Sequence, residues 1–221
     1  MGELIYRSNI NQDWIGLVFF SNLFLVSALF KLDPVRFKRS IMLFKTDIYI
    51  SKYSTEKNLK FLNLFNLISF FIIINTICLF LFSFTKYEFT SIEFAFEYLY
   101  LFIALLIFLS FRYFFFQLLV NQINFLRNLK ALFFKSFTHH FQFALYFLVF
   151  LYINFYTSLP KKFFLGFSFF VFGLWVFYQS RILFLFFKSS PKEFIYIILY
   201  LCTLKLIPWY WFYIYALEPR L

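Results

Sequence analysis

Apolar residues run along this chain in six stretches, at about 14–31, 61–84, 94–120, 139–159, 163–187 and 194–217, with polar connections between them. Each approaches or exceeds the roughly 20 residues that carry an α-helix across a ~30 Å hydrocarbon layer at about 1.5 Å per residue. The pattern predicts an all-α polytopic membrane protein, a single transmembrane domain over 1–221 with about six spans. Helix-start chemistry marks several boundaries. Thr90 with Glu93 and Ser190 with Glu193 have capping-box spacing, and Pro191 falls at a first helical position.

One connection has a pattern of its own. Between 33 and 60, Asp33 can cap a helix that Pro34 begins, after which Phe37, Ile41, Phe44 and Ile48 recur at helical spacing. Their neighbours Arg36, Lys38, Arg39, Lys45 and Lys52 are basic. This predicts a basic amphipathic helix, either lying on the cytoplasmic leaflet with its cations at anionic phospholipid, or packing that apolar face on the protein's own spans. The segment Ile123 to Phe137 repeats the theme more weakly.

Charge then orients the chain. Its formal balance is +11, and the cations are unevenly placed. The first connection carries Lys31, Arg36, Lys38, Arg39, Lys45, Lys52, Lys57 and Lys60; the third carries Arg127, Lys130 and Lys135; the fifth carries Lys188 and Lys192. The second has only Lys86 and the fourth only Lys161 and Lys162. By the positive-inside rule the odd-numbered connections are cytoplasmic and both termini face outward, into the periplasm for a bacterial inner membrane. The flank ahead of the first run holds Glu3, Asp13 and one Arg7 while the flank behind is strongly basic, which argues against a signal peptide cleaved after Val26, Ser27 and Ala28. No basic polar stretch is longer than Lys31 to Lys60, so the charge implies topology and lipid, with no nucleic-acid partner.

Composition adds little that is functional. Apolar residues make up 63% of the chain, and 43 Phe and 16 Tyr stand against 4 Gly, so the interior is expected to be aromatic. AT-rich codon usage accounts for such an excess as readily as function does. Cys78 and Cys202 lie in apolar runs without metal-ligand or paired-thiol spacing and are expected to pack.

Charges at bilayer depth cost about 2.5–3.5 kcal/mol on insertion scales and invite a functional question. Arg112, Arg181 and the pair His139 and His140 all fall toward the cytoplasmic side of their spans. Together they would suit a lipid phosphate, whose oxygens accept paired guanidinium hydrogen bonds; snorkelling of the arginines to the headgroups is the simpler reading. No metal site is expected, because neighbouring histidines point about 100° apart. Lys205, eleven residues past Phe194, falls about 16 Å into the membrane beside Pro208. It is an intramembrane polar residue for proton or substrate coupling, or a structural anchor. Asn75, Thr76, Gln142 and Asn154 are expected to bond between helices, and Gly166, Gly173 and Ser180, spaced by seven, to give the fifth span one smooth stripe.

The run Tyr200, Leu201, Cys202, Thr203, Leu204, Lys205, Leu206, Ile207, Pro208 resembles the C-terminal signature of a multi-pass inner membrane family of Bacteroidota catalogued as a domain of unknown function. Asp13 and Trp14, the basic stretch Phe37 to Phe44 and the six-span layout resemble it too. The family motif carries Glu where Lys205 stands, so a role needing a carboxylate there is not implied. The resemblance implies a membrane protein without an assigned activity or cofactor.

Among functions, catalysis is not expected, since no span interior holds converging acids, nucleophiles or metal ligands. Transport lacks matching Gly or Pro breaks in paired spans. The expectation is a non-catalytic accessory or structural subunit of an inner membrane envelope complex, such as a secretion or assembly machine, with other integral membrane proteins as partners. The alternative is a transporter or lipid-carrier-handling protein using Arg112, Arg181 and Lys205.

Overall fold

A computed structural model describes residues 13–42, 63–88, 94–122, 127–157, 160–189 and 210. Among them the chain is all helical: α1 (Asp13–Leu32), α2 (Pro34–Ile41), α3 (Leu64–Glu88), α4 (Phe94–Gln122), α5 (Arg127–Thr157) and α6 (Lys161–Ser189). Five of these, all but α2, are long and apolar enough to cross a membrane. The expected sixth span at 194–217 lies outside the described residues, apart from the helical Tyr210.

Two helices form the centre. α3 packs against α1, α4 and α5, while α5 packs against α3, α4, α6 and α2. Accordingly every residue of α3 from Ile72 to Thr76 is buried, whereas α1, α4 and α6 each keep one broad apolar face exposed, which includes Phe20 and Phe24, Ile107 and Phe111, and Phe170 and Phe177. Those faces are what a hydrocarbon solvent accommodates. The interior is as aromatic as the composition suggested. Trp14 of α1 meets Phe82 and Tyr98, Phe65 meets Phe141, Phe80 meets Phe147, and Phe150 lies against Phe164 and Phe167 with centroids 5.8 and 4.1 Å away.

The α3–α5 contact depends on a seam of small polar residues. Ser69, Thr76 and Ser83 are spaced by seven, all buried, and each hydroxyl donates to the carbonyl four residues back, at 2.8, 2.8 and 2.7 Å. The seam lies on the side of α3 between Phe65 and Phe80, which both meet α5. Small side chains whose polar protons are spent on their own helix let two backbones approach closely within an apolar medium.

α5 begins at Arg127, twelve residues ahead of the apolar run expected at 139. The weakly amphipathic stretch to Phe137 is therefore not a separate surface element. Leu132, Phe134 and Phe137 are buried, and Tyr113 of α4 holds Phe133 and Phe137 edge-on. The interspersed Arg127, Lys130 and Lys135 dilute the apolar signal there without interrupting the helix.

α2 follows α1 directly. Asp33 caps it as expected, its carboxylate accepting from the Arg36 amide at 2.8 Å, with Pro34 at the first position. It does not lie free on a leaflet: Arg36, Phe37 and Ser40 are buried against the bundle.

Candidate functional site

Three polar centres and one outer surface are candidates for function. The first fixes α2. Arg36 is only 3% exposed; its Nη2 donates to Asn66 Oδ1 of α3 at 2.8 Å, and its guanidinium carbon sits 4.0 Å above the Phe65 ring. Gln142 of α5 donates from Nε2 to the Ser40 carbonyl at 2.6 Å, and the Tyr146 hydroxyl donates to the Ile41 carbonyl at 3.0 Å. These last two bonds satisfy carbonyls left open at the helix end. Arg36 thus departs from the interfacial role expected of it, because an aromatic face and an amide oxygen replace the water and phosphate a guanidinium otherwise seeks. Lys38 is exposed and Arg39 half-buried, while Lys45 lies outside the described residues.

The second centre lies mid-bundle, where α1, α3 and α4 meet. Asn75 Nδ2 donates to Asn22 Oδ1 at 3.3 Å, the Tyr98 hydroxyl donates to Asn75 Oδ1 at 3.4 Å, and Asn22 Nδ2 donates to the Val18 carbonyl at 3.0 Å. Cys78, also buried here, directs its thiol toward the Tyr98 carbonyl. Interhelical bonds of this kind average about 0.6 kcal/mol and reach about 1.7 kcal/mol in membranes. Asn75→Ala is therefore expected to lower bundle stability by about 1 kcal/mol, read as a shifted unfolding midpoint in detergent; an unshifted midpoint would show that this amide ties nothing together.

The third joins α5 to α6. The His140 Nδ1 is 2.6 Å from the Ser136 carbonyl, which can only accept, so that nitrogen carries the proton. Ser136 Oγ donates to Gln179 Oε1 at 2.7 Å, and the Gln179 amide comes within 3.4 Å of the same ring nitrogen. The His139 ring lies against Tyr178 and the His140 ring meets Trp175 edge-on.

The cationic cluster expected from the sequence is not assembled by this geometry. On α4 it is Tyr113 that meets α5, and Arg112, one residue earlier, is turned about 100° away and half-buried. Arg181 is exposed on α6, whose Tyr178 and Gln179 face the histidines instead. Lys205 lies outside the described residues. Among the described residues, no three His, Cys, Asp or Glu side chains gather as a metal site.

The outer surface belongs to α6. Phe164, Ser168, Gln179 and Ile182 turn inward, and Gly166, Phe170, Gly173, Phe177, Ser180 and Phe184 turn outward. The small residues keep their spacing of seven, each followed four positions later by a phenylalanine. A Cβ added at Gly166 or Gly173 would meet nothing within 4 Å.

A family profile, Domain of unknown function (DUF4271), matches residues 15–216. The chain belongs to that family. The DUF4271 match opens within the first turn of α1 and runs beyond α6, so each polar centre and the α6 surface fall inside the shared domain. No curated protein and no solved structure matches this DUF4271 chain. Asn75 and Gln142 bond between helices as their sequence context implies, whereas Thr76 donates to the Ile72 carbonyl of its own helix; Asn22, Asn66, Tyr98 and Gln179 are not evident from the sequence as partners or counterparts. An amide isolated in an apolar helix was the available signal for Asn22 and Gln179; Asn66 and Tyr98 sit near span ends, where polar atoms are ordinary.

Proposed function

We propose that this DUF4271 protein is a non-catalytic subunit of an inner membrane complex in Bacteroidota, with α6 seating a transmembrane helix of a partner protein and both termini periplasmic. The observation that carries the reading is the outward stripe of α6. Within the bundle, α3 meets α5 along small residues spaced by seven, Ser69, Thr76 and Ser83. α6 repeats that device with Gly166, Gly173 and Ser180, but turned away from the bundle, with phenylalanines standing between the notches. A sustained seven-residue repeat of knobs and notches suits a left-handed helix pair, in which the partner's side chains fill the notches. Asn66, Asn75, Gln142 and Gln179, meanwhile, are engaged in bonds between helices, which favours a structural role for these amides over a chemical one. The transporter or lipid-carrier alternative draws no support from the separate placements of Arg112 and Arg181.

The test is purification of the protein, expressed from its own promoter, out of mildly solubilised membranes. A membrane partner at fixed stoichiometry is expected, reduced about tenfold by Gly166→Leu with Gly173→Leu, a pair the open space leaves room for. A photo-crosslinker replacing Phe177 is expected to join a different chain. Absence of any such partner, full retention by the double variant, or adducts confined within the chain would sink the reading.

A further inference from the structure

α2 has two unlike faces, and the inner one is tied at both ends. Arg36 is bonded to Asn66 and lies on Phe65, while Gln142 and Tyr146 hold the carbonyls of Ser40 and Ile41. Phe37 fills the space between, edge-on to Phe30. With these contacts α2 cannot roll about its axis as a helix merely resting on a bilayer does. Its opposite side is fixed with it, and that side presents Val35, Lys38 and Met42, all exposed, flanked by Arg39. At the junction just before it, Phe30, Lys31 and Leu32 at the end of α1 are exposed too.

Cations and large apolar side chains are therefore presented together at the end of a membrane-crossing helix, the depth at which hydrocarbon gives way to headgroups. Neither water nor hydrocarbon alone suits such a surface. Phe30, Leu32, Val35 and Met42 favour the acyl boundary, whereas Lys31, Lys38 and Arg39 favour negative oxygens just outside it. We propose that this outer face of α2, with Lys31, is a seat for anionic phospholipid headgroups. The ammonium groups of Lys31 and Lys38 attract the phosphate as point charges, and the Arg39 guanidinium can bind two of its oxygens at once. What distinguishes the seat from a general basic surface is that the bonds to Asn66, Gln142 and Tyr146 hold α2, the helix that carries Lys38 and Arg39, in one orientation.

The full-length protein, reconstituted in bilayers of phosphatidylcholine with a minor share of phosphatidylglycerol, tests this when extracted with its bound lipid and weighed by native mass spectrometry. The wild type is expected to retain phosphatidylglycerol above its share. Lys31→Gln, Lys38→Gln and Arg39→Gln together are expected to remove that preference, at about fivefold per cation near an anionic surface. Lys161→Gln with Lys162→Gln, at exposed positions on α6 away from this seat, is expected to leave it intact. Unchanged phosphatidylglycerol retention in the triple variant would overturn the proposal. An equal loss in the Lys161 and Lys162 variant would overturn it too, by showing that overall charge and not α2 selects the lipid.

Discussion

Asn66→Leu is expected to destabilise the bundle by about 3 kcal/mol and to free α2, whereas Arg36→Met, at the other end of the same bond, is expected to cost only about 1–2 kcal/mol. The asymmetry comes from what each change leaves behind. Leucine at 66 takes the amide oxygen from a guanidinium that is 3% exposed, leaving a charge in a low-dielectric site with the loss of one of its bonds. Methionine at 36 removes the charge, keeps most of the stem over Phe65, and leaves behind only a neutral amide. Unfolding midpoints in a denaturing detergent series give the two costs, and hydrogen exchange at the α2 amides tells whether the helix has come loose. Equal costs, or an α2 as protected in Asn66→Leu as in the wild type, would mean that the guanidinium is not held chiefly by this amide.

Phe141→Ala is expected to cost about 2–3 kcal/mol. Phe141 is 2% exposed, on α5 where α3 and α2 converge, with its ring edge-on to Phe65. In a soluble core such a truncation costs about 3–5 kcal/mol, part of it the lost transfer from water. Here the ring's alternative surroundings are lipid tails, so that transfer contribution largely falls away. What is lost is dispersion contact across a cavity that the flanking helices close only partly. The same midpoint measurement applies, with exposed Phe170→Ala on α6 as the comparison, expected to stay within about 0.5 kcal/mol of wild type. A Phe141 variant no less stable than the Phe170 variant would refute the claim that this ring is a packing centre.

Five of the spans and the capped start of α2 were legible because they rest on local chemistry: long apolar runs, and Asp33 before Pro34. The start of α5 was not, since a hydropathy pattern weighs Arg127, Lys130 and Lys135 against a helix end, while the helix is sustained by Phe133 and Phe137 meeting Tyr113 of α4, twenty or more residues away in sequence. On α2, the spacing of Phe37 and Ile41 placed the buried face too far round, for it is centred on Arg36, Phe37 and Ser40. Phe65 and Asn66, about thirty residues on, help make a buried arginine tolerable there. The α3 seam was visible in principle as Ser69, Thr76 and Ser83 at intervals of seven, but hydroxyls considered singly do not announce a stripe. The stripe on α6 was legible as spacing; that it faces outward depends on which side of α6 meets Ser136, His139 and His140 of α5.

The ties on α2 also set an order of events during synthesis. Asn66 follows Arg36 by 30 residues, but Gln142 comes 102 residues after Ser40, and Tyr146 comes 105 after Ile41. At roughly 5–20 residues per second, translation reaches them some 5–20 s after it has made α2. For that interval the nascent helix has no completed berth, and a basic amphipathic segment is suited to waiting on the membrane surface until α5 arrives. Docking of these eight residues is therefore completed only once α5 has been made.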